Sequence, residues 1–123
     1  MAQIPLNRFK TIRHELTTDN VGIYTCPTGV ATIVILSQVA NTATGVASVT
    51  AYHSRSGTDF ELTKNTPVPP EDSYSIVGDG RLVLETNDVF KIEASENSKL
   101  NIVLSILETA KQFQRDGFLF AGV

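Results

Sequence analysis

The sequence contains no tryptophan and a single cysteine, Cys26. One cysteine excludes an internal disulfide and any zinc site built on paired cysteines, and it fits synthesis in a reducing cytosol. No apolar run approaches the roughly 20 residues that carry a helix across a bilayer. The longest, VATIVILSQVA (30–40), is interrupted by Thr, Ser and Gln, so no membrane partner is expected. The opening MAQIPLNRFK has no apolar core of a secretion signal. Aromatic residues make up only 7%, which leaves little for the exposed platforms that sugar-binding sandwiches use. Tyr52 is the best candidate for such a platform, and cross-strand packing accounts for it better.

Groups able to do chemistry are also scarce. His14 and His53 are the only histidines, and nothing in the sequence places either between a carboxylate and a nucleophile. Cys26 precedes Pro27 at a turn and reads as structural. The glycines form neither GxGxxG nor a phosphate-binding loop. Asp59 and Glu61 share the outward face of one strand, while Asp72, Asp79 and Asp88 lie in turns. A solvated face and Asx turns explain these carboxylates without a metal. No enzyme activity, cofactor or metal is expected.

What is present is β-pattern. Short runs rich in Val, Ile and Thr alternate with turn chemistry every 8–12 residues over 9–108. Candidate strands are Phe9–Thr17, Val21–Thr25, Val30–Ala40, Val46–Ser54, Asp59–Lys64, Ser73–Val77, Arg81–Glu85, Val89–Ala94 and Leu100–Glu108. TPVPPED (66–72) holds three of the five prolines and reads as a connection between sheets. The expected fold is an all-β antiparallel two-sheet sandwich of 8–9 strands, with jelly-roll or Greek-key connections. It forms one domain: an N-terminal arm and first strand (1–19), a body (20–108) and a C-terminal tail (109–123).

Charge and apolarity are uneven at the two ends. Residues 1–14 carry Arg8, Lys10 and Arg13 and no acid, whereas 15–108 carry twelve acids and five bases. So acidic a body is a poor ligand for nucleic acid, and none is expected. The basic arm suits an acidic neighbour, including another copy of the same chain. The last strand has a second apolar face, with Val103 and Leu107 beside Asn101 and Ser105. Thr109–Arg115 is the one helical candidate, with Gly117 as its stop. Phe113, Phe118, Leu119 and Phe120 follow the last body strand. Burying the last three of these gains about 5–8 kcal/mol. Ordering the final six residues costs about 6–12 kcal/mol, so the segment needs a sheet edge or a groove as well. Arg8, Phe9, Lys10, Arg13, Val103, Leu107, Phe113, Phe118, Leu119 and Phe120 are therefore the candidate partner-contacting residues.

An ordered series of phrases carries a resemblance: IYTCPTG (23–29), VATIVILSQVANTATG (30–45), VASVTAYHS (46–54), TPVPPED, SYSIVGDGRLVLETNDVFKIEAS (73–95, read as a hairpin) and LNIVLSILE (100–108). Over about residues 20–108 the chain resembles small β-sandwich virion proteins of tailed bacteriophages. The resemblance implies a structural role in the virion, as a capsid decoration or cement protein, or as a neck, tail or fibre component. It implies other virion proteins as partners (the major capsid protein, or tail and neck proteins) together with self-association. A receptor- or glycan-binding module is the alternative. The resemblance transfers no active-site residue.

Overall fold

The structure, a computed structural model, describes residues 7–110. These form nine strands: β1 (Asn7–Glu15), β2 (Val21–Thr25), β3 (Val30–Asn41), β4 (Ala47–Arg55), β5 (Thr58–Val68), β6 (Ser73–Ser75), β7 (Leu82–Leu84), β8 (Val89–Ala94) and β9 (Leu100–Ala110). The described residues contain no helix. One sheet has the order β1-β9-β3-β6, with β7 also paired to β3; the other has the order β2-β8-β4-β5. Every pairing is antiparallel.

The pairings nest. β1 lies against β9, β2 against β8, β3 against β6 and β7, and β4 against β5. This is one long antiparallel ribbon folded at the β4–β5 hairpin and wound into two sheets, which is the jelly roll. The hairpin turns on Ser56 and Gly57, both with positive φ (54° and 82°). Two left-handed residues in a two-residue loop match the right-handed twist of the flanking strands, and glycine adopts that conformation readily.

The alternating residues close the core. Leu100, Ile102, Leu104 and Ile106 of β9, Val34 and Val39 of β3, Phe90 and Ile92 of β8, and Val49 of β4 are buried between the sheets. Neighbouring positions on the same strands face outward, as a period of two requires.

Several expectations need correction. β1 begins at Asn7 and pairs along its whole length with β9, so the basic residues Arg8, Lys10 and Arg13 lie on an edge strand. β5 continues through Thr66, Pro67 and Val68, which pair with Val49, Ser48 and Ala47. Proline is tolerated there because β5 is an edge strand with one side free of the ladder. The crossing between sheets is left to the residues that follow. The segment 73–95 is not a hairpin: β6 and β7 each pair with β3 on either side of the 76–81 turn. Thr109 and Ala110 belong to β9 and pair with Ala31 and Val30, so the helical expectation fails for those two residues. The rest of that segment, with Phe113, Phe118, Leu119 and Phe120, lies outside the described residues.

Candidate assembly interface

The outer face of the five-stranded sheet is built by the register. Phe9 on β1 stands opposite Leu107 on β9, Leu107 opposite Ile33 on β3, and Ile33 opposite Val83 on β7. Four apolar side chains thus form one row across four strands. Phe9 is 73% exposed and Val83 is 51% exposed. A β-bulge in β3 between Val34 and Leu36 widens the row. The inward positions are Val34 and Ser37, so the bulge turns both Ile35 and Leu36 outward. Val103, opposite Arg13 and Gln38, adds a further exposed apolar side chain.

The outer face of the other sheet is polar. Tyr52 donates its hydroxyl to Glu93 (3.2 Å), and Lys91 pairs with Asp59 (3.3 Å). Tyr52 is therefore engaged across strands, in the packing role that its position on the polar face suggests. The sandwich has one apolar and one polar outer face.

Of the expected contact residues, the structure brings Phe9, Leu107 and Val103 onto one face, with Arg13 beside them. Arg8 and Lys10 point the other way. Lys10 lies 3.4 Å from the buried carboxylate of Glu108. Ile33, Ile35, Leu36 and Val83 were missed by the sequence reading. Their strands are apolar on both faces, so alternation alone does not say which side chains are left outside. The available signal was the continuous apolar stretch Ile33–Leu36 within β3, which does not alternate as a strand with one wet face would.

Two polar clusters sit inside the body. Glu108, 6% exposed, accepts a hydrogen bond from the Tyr24 hydroxyl at 2.5 Å, and that hydroxyl also contacts Thr32 at 2.8 Å. Burial, followed by the Glu108 carboxylate, raises the Tyr24 pKa well above its ordinary value. Near the β4–β5 hairpin, Asp88 takes both prongs of the Arg55 guanidinium (2.8 and 2.7 Å), the Glu85 amide (2.7 Å) and His53 Nε2 (3.1 Å). The Arg55 bonds above all hold its carboxyl well below the usual range. Cys26 is buried, with its thiol near the carbonyls of Val30 and Leu84 (3.2 and 3.3 Å). Each of these groups is saturated by structural partners. None presents an activated nucleophile beside a base, and no group of three metal-ligating side chains occurs among the described residues.

No protein-family model and no curated protein sequence matches the chain. Solved structures do. One is a chain of the acid-stable capsid of Helicobacter pylori bacteriophage KHP30, 11% identical with a TM-score of 0.55, covering 88% of this chain and 90% of that one. A second is a chain of the disulfide-linked pili formed by Bacillus endospore appendages, 14% identical with a TM-score of 0.50, covering 86% and 88%. A third is a chain of the T13 IBDV viral particle, 12% identical with a TM-score of 0.48, covering 86% of this chain and 31% of that one. At these identities the likeness is one of fold. The chain is a two-sheet β-sandwich whose fold is like that of the phage capsid chain and the pilus chain.

Proposed function

We propose that this chain is a non-enzymatic structural component of a phage particle, and within it a capsid decoration or cement protein. The observation that carries the reading is the apolar row Leu107–Ile33–Val83, widened by Leu36 and Val103, on one face only, with Phe9 at its lateral edge. A contiguous apolar patch rimmed by polar residues marks an interaction surface. Seated on the major capsid protein, or on a neck or tail protein, that face is covered, and many weak copies add avidity. The fold likeness to a phage capsid chain over nearly the whole of both chains supports a place in a virion. The pilus likeness counts for less, because a disulfide-linked assembly needs an accessible thiol and the one cysteine here is buried.

Mass spectrometry and cryo-EM reconstruction of purified particles test the reading together. The expected result is many copies on the outside of the shell, with the five-stranded sheet against the protein beneath. Absence from the particle overturns the proposal, and a few copies at one vertex move it to the neck or tail. A second reading, that the chain builds the shell itself, draws on the same end-to-end capsid likeness. In that case the chain is the most abundant protein of the particle and encloses the genome without another shell protein.

A further inference from the structure

Phe9 and Phe60 are the two most exposed large apolar side chains among the described residues, at 73% and 70%. They lie on edge strands of different sheets, β1 and β5. The sheets stack so that these edges are on opposite sides of the sandwich. β5 lies beside β6, with Thr63 within reach of Tyr74 (3.5 Å), while β1 runs into β2 at the far edge. The two edges also differ in charge. β1 carries Arg8, Lys10 and Arg13 against Glu15. β5 and the turn after it carry Asp59, Glu61, Glu71 and Asp72 against Lys64. Phe60 forms one wall of an open depression of about 420 Å³, lined also by His53, Arg55, Ser56 and Thr58.

We infer that the β1 edge of one copy docks on the β5 edge of a second copy, with Phe9 entering the depression beside Phe60. Basic residues on one edge meet acidic residues on the other, which fixes the orientation and favours the encounter. Because the two edges are different surfaces, the contact is head-to-tail. Repeating it builds a ring or a chain rather than a closed two-fold dimer. The inference deepens the assembly role proposed above by naming a second copy as the lateral partner, and it rests on that reading.

The test uses the full purified chain in solution, without particles, and reads mass by sedimentation and light scattering. Wild type is expected to associate beyond a dimer as concentration rises, and to do so about tenfold less readily in high salt. Phe9→Ser and Phe60→Ser replace exposed side chains, so both variants keep the fold, which circular dichroism checks. Each variant alone is expected to stay monomeric. An equimolar mixture retains one intact β1 edge and one intact β5 edge, and is expected to stop at a one-to-one dimer. Three results overturn the inference: wild type that stays monomeric at high concentration, a variant that associates as wild type does, or a mixture that stays monomeric. Absence from purified particles would instead defeat the virion role while leaving this contact standing.

Discussion

Tyr24 and Glu108 meet across the core, one from each sheet, with the tyrosine hydroxyl 2.5 Å from the carboxylate. They are 84 residues apart in the chain. The contact pins β2 to β9 and satisfies a carboxylate that is 6% exposed. Tyr24→Phe removes the hydroxyl and leaves Glu108 with Lys10 at 3.4 Å as its remaining charged partner. The expected loss of stability is about 1–3 kcal/mol, measured by denaturant unfolding. Because the Tyr24 pKa is raised in the folded state, the neutral hydroxyl is favoured there. Its contribution is complete below the ordinary tyrosine value of about 10 and is lost as pH rises above it. An ultraviolet titration is expected to find the Tyr24 hydroxyl still neutral well above about pH 10.

Asp88 contributes to the acid limb of stability. Its pKa is lowered in the fold, mainly by the Arg55 bonds. The stabilisation is therefore present above the unfolded value of about 3.9 and falls away as pH drops below about 4. Asp88→Asn is expected to cost about 2–4 kcal/mol near neutral pH, since it breaks a buried charged network. The difference between wild type and variant should shrink in acid. A difference that stays constant down to about pH 3 would place the effect in packing rather than charge.

Leu36→Ser and Val83→Ser alter exposed positions of the apolar row. Each is expected to change unfolding stability by less than about 1 kcal/mol. Incorporation into particles, measured by quantitative mass spectrometry, is expected to fall for both. Unchanged incorporation in the double variant would remove this face from the interface.

Truncation after Ala110 tests where the fold is complete. Both described sheets pair within residues 7–110, and a core of buried residues from both sheets lies inside that span. The shortened chain is expected to keep its β-sheet circular dichroism and melt cooperatively. Loss of the folded state would show that residues 111–123 belong to the core.

Much of the sandwich is legible along the chain. Alternation marks β4 and β8 because their outward faces are polar, β9 is marked by its inward Leu100, Ile102, Leu104 and Ile106, and Ser56–Gly57 marks a hairpin by its turn chemistry. β3 is less legible because both of its faces are apolar, and that is why Ile33, Ile35 and Leu36 do not stand out in the sequence. Pro67 misleads, since its exclusion from sheets holds for central strands and β5 is an edge.

The fold class, the scarcity of histidine and cysteine, and the charge difference between residues 1–14 and the body are all set by the sequence alone. These follow from composition and from a period of two, both local properties. The tertiary structure alone decided that β1 pairs with β9, that Phe9, Leu107, Ile33 and Val83 share one row, and that the two most exposed phenylalanines lie on opposite edges. Those relationships join residues tens of positions apart through the winding of the ribbon. Register and stacking, which no local pattern encodes, are what turn scattered apolar residues into a surface.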